Sequence, residues 1–167
     1  MLAILAVAVA LAGGDVHVIQ ADKSAGGIRL GRSTPDDVRR LFGPAASARQ
    51  PGASAQSCTR FWPQLGLEVE FFTFETQPCL RGVALIVTVR SRASWRTALG
   101  LRVGDTATRL RSLYPRARLR GAGTDRGFWL VPRRVCAEVG GGSYPGLLAR
   151  MRSGRVSALV SRIAVCD

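Results

Sequence analysis

One short motif occurs twice along the chain, at an interval of about 72 residues. Residues 27–31 read GIRLG, and residues 100–104 read GLRVG. Three apolar residues that follow each copy also correspond, with one deletion allowed: Val38, Leu41 and Phe42 match Leu110, Leu113 and Tyr114. A repeat of this length predicts two copies of one supersecondary unit, each too small to bury its apolar face alone.

Each copy carries the start of a short helix. Thr34 can cap a helix whose first residue is Pro35, and residues 43–44 (GP) end it. In the second copy, Asp105 or Thr106 takes the capping position. Both helices have one apolar stripe over about ten residues, so each needs a sheet to cover.

The strand patterns supply that sheet. Residues 67–74 alternate between apolar and polar side chains, which predicts a half-buried strand, and the apolar run 83–89 predicts a central one. Four more strands are predicted in the second copy, at residues 127–131, 134–139, 146–152 and 155–165. We therefore expect an α+β fold, in which two tandem helix-plus-antiparallel-sheet repeats (26–92 and 93–167) form one layered domain.

The N-terminus has the composition of an export signal. Residues 2–12 are apolar or small, too short a run to span a membrane, so residues 1–21 are interpreted as a signal peptide or apolar leader. Cleavage is expected after Ala12 or, less favourably, Ala21; the alternative is a buried N-terminal strand or helix. Gly14 stands where a bacterial lipoprotein has its lipid-bearing cysteine. We expect a secreted or cell-envelope protein with no stable membrane anchor after cleavage.

The four cysteines fit that compartment. They form no C-x-x-C pair, and the single histidine, His17, is distant from them in sequence, so a zinc site is not expected. Of the three possible pairings we favour Cys58–Cys79 and Cys136–Cys166, each of which closes a short loop within one repeat. The alternative is four reduced thiols in a cytosolic protein.

The chain lacks a recognisable catalytic set. With one histidine near the terminus, no Ser-His-Asp or Cys-His arrangement is available. Asp36 and Asp37 are typical of a helix start, and Glu68 and Glu70 of the solvated face of a strand. The glycines at 140–142 lack the context of a phosphate loop. The sequence predicts a non-enzymatic protein without a metal or cofactor.

Positive charge is concentrated in the second half. The chain has 24 basic and 11 acidic residues, a net charge of +13. Residues 1–83 hold eight basic and seven acidic groups, whereas residues 84–167 hold sixteen and four. Genomic bias towards arginine is one explanation for the total, but it should affect both halves alike. The asymmetry favours an anionic partner for the second half.

Two sets of side chains are candidates for partner binding. Arg134, Arg150 and Arg152 are predicted at alternating strand positions, where they converge on a partner or are simply solvated. The aromatic candidates, which could instead belong to the core, are Phe72, Phe74 and Trp129.

The second motif and its flanks resemble a known family. Residues 95–105 read WRTALGLRVGD, and residues 41–44 read LFGP. This pattern resembles the tandem-repeat family of β-lactamase inhibitor proteins (BLIP) and, more distantly, the single-unit BamE/SmpA lipoproteins. The resemblance covers roughly residues 26–166 and implies an exported, non-catalytic protein whose two units form one concave sheet that grips a partner. The glycine at position 14 departs from the lipoproteins, and no inhibitory residue can be carried over.

Two functions follow as expectations. The first is a secreted or envelope binding module that engages a protein or an anionic envelope polymer through its sheet. The alternative is a nucleic-acid-binding protein that uses the basic second half, because arginines beside aromatic residues suit phosphate contacts and base stacking. Export argues against nucleic acid, and a cytosolic location would favour it.

The cysteine pairing can be tested directly. We expect the intact mass of the mature protein to lie about 4 Da below the fully reduced value, because two disulfides remove four hydrogens. Peptide mapping should join Cys58 to Cys79 and Cys136 to Cys166. Free thiols in protein taken from its native compartment would refute both the pairing and the compartment.

Overall fold

A computed structural model of the chain describes residues 16–52, 55–91, 94–134 and 142–164. Within them the chain forms twelve strands and three helices. The strands are β1 (His17–Gln20), β2 (Ser24–Ala25), β3 (Ile28–Arg29), β4 (Ser47–Arg49), β5 (Ser57–Trp62), β6 (Leu67–Phe72), β7 (Val83–Val89), β8 (Trp95–Thr97), β9 (Arg118–Arg120), β10 (Gly127–Arg134), β11 (Ser143–Arg152) and β12 (Arg155–Arg162). The helices are α1 (Pro35–Phe42), α2 (Pro78–Arg81) and α3 (Ala107–Leu113).

An eight-stranded antiparallel sheet forms the body of the fold. Its strand order is β4-β5-β6-β7-β12-β11-β10-β9. Strands β4 to β7 come from the first half of the chain and β9 to β12 from the second, and the two groups meet where β7 pairs with β12. The mixed α+β class expected from the sequence is confirmed.

Two of the predicted strands are confirmed in detail. In β6, Leu67, Val69 and Phe71 are buried, and the residues between them are only partly covered. The apolar run Val83–Val89 forms β7, which pairs with β6 on one side and β12 on the other. An apolar run suits this position, because a central strand is covered on both edges and packs on its faces.

The prediction for β10 was wrong. The sequence suggested two strands separated near Pro132, but the structure has the single strand Gly127–Arg134. Proline is tolerated there because β9 pairs with β10 only between Gly127 and Trp129, so Pro132 needs no amide hydrogen on that side. Register shifts around Val131 accommodate the proline against β11. The second predicted strand extends into residues 135–141, which lie outside the described residues.

A second, four-stranded sheet has the order β3-β2-β1-β8. Strand β1 runs parallel to β8, and Ile19 and Trp95 from these two strands are each 1% exposed. Trp95 also contacts Phe42 of α1 and donates its Nε1–H to the Leu65 carbonyl at 3.1 Å. Residues 17–20, within the predicted leader, are thus part of the fold: cleavage after Ala12 retains β1, whereas cleavage after Ala21 removes it.

Both copies of the glycine motif make the same backbone contacts. The amide of Gly31 donates to the Ala84 carbonyl in β7 at 2.7 Å, and the amide of Gly104 donates to the Val156 carbonyl in β12 at 2.6 Å. Both glycines have positive φ angles, +74° and +87°, which explains why glycine occupies these positions. Each motif therefore hydrogen-bonds its turn to the beginning of a strand: β7 for the first motif and β12 for the second.

Helices α1 and α3 start where the sequence predicts. Thr34 and Asp37 form a reciprocal capping box at the start of α1, and Pro35 is the first helical residue. In α3 the cap is Thr106, whose hydroxyl accepts from the Arg109 amide at 3.2 Å. Among the described residues, no helix combines the length and apolarity needed to cross a membrane.

One apolar core joins these layers. Ile19 of the small sheet, Val38 of α1 and Leu110 of α3 belong to the same buried cluster as Val69 and Leu147 of the large sheet. The small sheet and the helices therefore pack on one face of the large sheet, as a layered α+β domain requires.

A disulfide joins Cys58 on β5 to Cys79 on α2, across 21 residues. It confirms the first predicted pair and fixes the short helix against the sheet. By loop-closure arithmetic such a bridge stabilises the fold by roughly 3 kcal/mol. The second predicted pair, Cys136–Cys166, lies outside the described residues.

The cap of α1 can be tested by substitution. We expect Thr34→Ala to lower the free energy of unfolding by about 1 kcal/mol, because it removes the hydroxyl that accepts the Asp37 amide. Urea unfolding measures the change. Thr108→Ala, at an exposed position inside α3, is the matched control and should leave the free energy of unfolding unchanged or raise it slightly, because alanine has the higher helix propensity. Equal losses in the two variants would contradict a capping role for Thr34.

Candidate functional site on the open face of the sheet

The large sheet has a second face that does not belong to the core, which we call the open face. Its side chains alternate with those of the core, so that Glu68 and Glu70 lie on it in β6. Leu148 and Val160 lie on the same face by register, paired with each other across β11 and β12. Both are buried, at 1% and 3% exposure, yet neither belongs to the core cluster. The open face therefore has an apolar floor of its own.

Long charged side chains surround this floor. They enclose a cavity of about 310 Å³ that reaches from β4 to β11. Four of the residues that line it are arginines: Arg49, Arg90, Arg150 and Arg162. Arginine stems can lie along apolar surface while their guanidinium groups stay in water. The side chain of Leu148 also packs over Gly127 of β10.

Three acidic residues lie among these arginines. Arg90 pairs with Glu68 at 3.3 Å, and Arg162 pairs with Asp125 at 2.5 Å. The guanidinium of Arg162 also lies 5.9 Å from the ring centroid of Tyr144. Its Nε atom is buried and has no hydrogen-bond acceptor within the described part of the chain. The open face thus carries a network of ion pairs in which the Nε–H group of Arg162 lacks a hydrogen bond.

Glu70 is the least compensated acid of this network. Burial raises the pKa of its carboxyl group, the neighbouring Glu68 raises it further, and Arg162 lowers it. No side chain of the described residues forms a hydrogen bond or ion pair with the Glu70 carboxylate. The sequence suggested a solvated strand position, whereas the structure places this group half-buried in the cavity.

Arg90, Arg150 and Arg120 form a row across the sheet, with Arg150 in the middle. On one side, Arg150 pairs with Ala158 of β12. On the other side, it lies opposite Gly127 of β10, next to the Phe128–Ala149 pair. Gly127 pairs in turn with Arg120, and Arg90 lies one position beyond the Val89–Leu159 pair. The arginines therefore occupy alternate strands, about 10 Å apart. Ala158 and Gly127, which have little or no side chain, separate them, and the Leu148 side chain packs into the space over Gly127.

A groove, which we call the basic groove, opens at the end of the sheet. It has a volume of about 730 Å³ and lies between β9 and the β11–β12 hairpin. Three arginines line it: Arg126, Arg150 and Arg152. Neither Arg126 nor Arg152 has a carboxylate partner within the described ranges, and the described lining includes no acidic residue.

The predicted arginine cluster is thus corrected. Arg150 and Arg152 do lie together in the basic groove. Arg134 does not join them, because it pairs with Ser143 at the opposite end of β11. Residues 134 and 150 belong to the neighbouring antiparallel strands β10 and β11. The distance between them is therefore set by the register of this strand pair.

The three predicted aromatic residues have different surroundings. Phe72 and Phe74 are in edge-to-face contact, with ring centroids 5.0 Å apart, and Phe74 is 64% exposed beyond the end of β6. They contribute to an apolar groove of about 580 Å³ with Val83 and Tyr144. Trp129 lies on the open face, where the Arg120 guanidinium is 5.9 Å from its ring.

Several residues of the site were not identified from the sequence. They are Arg49, Arg90, Arg120, Arg126 and Arg162. The alternation of side chains within each strand could have indicated on which face an arginine lies. That the faces of different strands form one surface becomes apparent only when β7, β12 and β11 are aligned.

In the described part of the chain, no group of three or more histidine, cysteine or acidic side chains could hold a metal ion. Comparison of the chain with protein-family models, curated proteins and solved structures finds no match.

The raised pKa of Glu70 leads to a stability prediction. Because the folded-state pKa lies above the unfolded one, ionisation of Glu70 costs stability above the folded pKa, and that cost disappears below about pH 4.5. We therefore expect Glu70→Gln to raise the urea midpoint at neutral pH. The difference in midpoint between the variant and the unsubstituted protein should narrow as the pH falls towards about 4.5. A lower midpoint at neutral pH would show that attraction to Arg162 outweighs the effect of burial.

Proposed function

We propose that this protein is an exported, non-catalytic binding module whose open face engages a partner protein or an anionic envelope polymer. The observation that carries the proposal is a cavity whose base includes Leu148 and Val160 and which four arginines also line. A concave site with an apolar base and several convergent polar side chains is typical of a binding site. Arginine is also a residue that binding surfaces favour.

The architecture supports a surface built from two units. We infer that residues 26–92 and 93–167 are tandem repeats, because the strand order is symmetric about the β7–β12 pair. The equivalent bonds from Gly31 and Gly104 support the same inference. In this interpretation both repeats contribute four strands to one open face, which agrees with the resemblance to the tandem β-lactamase inhibitor proteins.

The disulfide supports export. Structural disulfides persist in oxidising compartments and are rare in the cytosol. The Cys58–Cys79 bridge therefore fits a secreted or envelope protein, in agreement with the apolar N-terminal segment.

Nucleic acid is the second candidate. The row of arginines includes Arg120, whose guanidinium lies 5.9 Å from the ring centroid of Trp129. Arginines spaced along a surface beside an aromatic ring suit a single-stranded nucleic acid. The same surface carries Glu68 and Glu70, which would repel any uniformly anionic strand. A partner protein of mixed charge therefore fits the open face better than either nucleic acid or a polyanion.

The proposal is tested by capture from the native envelope fraction, using the mature protein as bait. We expect Arg49→Gln/Arg90→Gln to lower the recovery of the bound partner several-fold, because both arginines line the open-face cavity. The loss should be larger at low salt, where screening is weak. Quantitative mass spectrometry measures the recovery.

Arg96→Gln/Arg109→Gln is the matched control. It removes the same charge from exposed positions on β8 and α3, neither of which lines the open-face cavity or the basic groove. Equal losses in the two variants would mean that net charge alone governs binding, and the open face would lose its assigned role.

A further inference from the structure

The basic groove has a chemistry distinct from that of the open-face cavity. We propose that it binds an extended segment of the partner protein that carries carboxylate side chains next to an aliphatic one. This inference rests on the proposed binding function and assigns to the partner a chemical class and a position.

The charge of the groove defines the first requirement. Arg126, Arg150 and Arg152 line it, and Arg120 follows Leu119 on the adjoining strand β9. The nearest acid in sequence, Asp125, is engaged by Arg162. Arginine binds carboxylates in a planar, two-bonded geometry, so this cluster favours acidic side chains.

The walls of the groove define the second requirement. Leu119 lines it and is 58% exposed, and the partly buried Met151 lines it too. Leucine and methionine offer an aliphatic, adaptable surface to an incoming apolar side chain. A ligand that carries charge alone would leave this surface in water. A segment that alternates acidic and aliphatic residues would contact both parts of the lining.

The surroundings of Trp129 favour a peptide over a single-stranded nucleic acid. The lining of the groove contains no aromatic side chain among the described residues. Trp129, on the neighbouring surface, is engaged by Arg120, and its Nε1–H donates to the Asp125 carbonyl at 3.1 Å. Stacking of a base there would displace Arg120. Binding of single strands depends on such stacking.

The groove is continuous with the open face. Arg150 lines both the basic groove and the open-face cavity. A partner seated on the apolar floor can therefore extend a segment past Arg150 into the groove. Every described residue that lines the groove comes from the second half of the chain, so part of the positive charge of that half lies at this site.

The test uses three synthetic probes and the mature protein. The first is a capped peptide of alternating glutamate and leucine; the second replaces each leucine by glycine; the third is a short single-stranded deoxythymidine oligonucleotide. Fluorescence anisotropy at low salt gives the Kd of each probe. We expect the leucine-containing peptide to bind more tightly than the glycine-containing one, because only the former contacts Leu119 and Met151.

Variants then locate the site. We expect Arg126→Gln/Arg152→Gln to weaken binding of the leucine-containing peptide roughly five- to tenfold, from two lost arginine–carboxylate contacts. Arg96→Gln/Arg109→Gln should change it less than twofold. Leu119→Ser should abolish the preference for leucine over glycine while leaving the glycine-containing peptide unaffected. All five residues substituted in these three variants are at exposed positions, so the fold should persist.

Specific outcomes overturn the inference. Equal effects of the two arginine double variants would show that binding follows net charge. Tighter, groove-dependent binding of the oligonucleotide would assign the groove to nucleic acid.

The inference and the proposed function can fail separately. If Arg49→Gln/Arg90→Gln reduces partner capture but the groove variant leaves peptide binding unchanged, the open face retains its role and the groove has none. The reverse result would reject the open face and retain the groove.

Discussion

The pairing of β7 with β12 is the interaction on which the rest of the structure depends. Four residue pairs, from Val89–Leu159 to Ile86–Arg162, join the two halves of the large sheet. Without them each half would be a four-stranded sheet with an unpaired edge, which invites association with other chains. The same register places Arg162 two strands from Glu70 and puts Arg90 into the row that contains Arg150.

The two faces of this sheet have different surroundings. One face is buried under the small sheet and the helices, where Val69 and Leu147 join the main core. On the other face, Leu148 and Val160 lie at the base of a cavity that is also lined by arginine and glutamate side chains. Long charged side chains can rearrange around an incoming group, because each keeps several rotatable bonds. This difference supports the proposal that the second face receives a partner.

Local features of the fold could be predicted because they depend on neighbouring residues. The capping positions Thr34 and Thr106, the alternation in β6 and the burial of β7 follow from hydrogen-bonding and apolar patterns within a few residues. The predictions for β10 and Arg134 failed for the opposite reason. Both depend on where a neighbouring strand ends or which residue it pairs with, and that information lies far along the chain.

The sequence by itself determined the short capped helices, the strands β6 and β7 of an antiparallel sheet and the basic second half, and it supplied the repeated glycine motif on which the proposal of two similar halves rests. Only the tertiary structure decided which arginines share a surface. Side chains on different strands become neighbours through register, and a shift of one residue would move each of them to the opposite face. Thus Arg150 and Arg152 meet Arg126 in the basic groove, whereas Arg134 lies at the far end of the same strand pair.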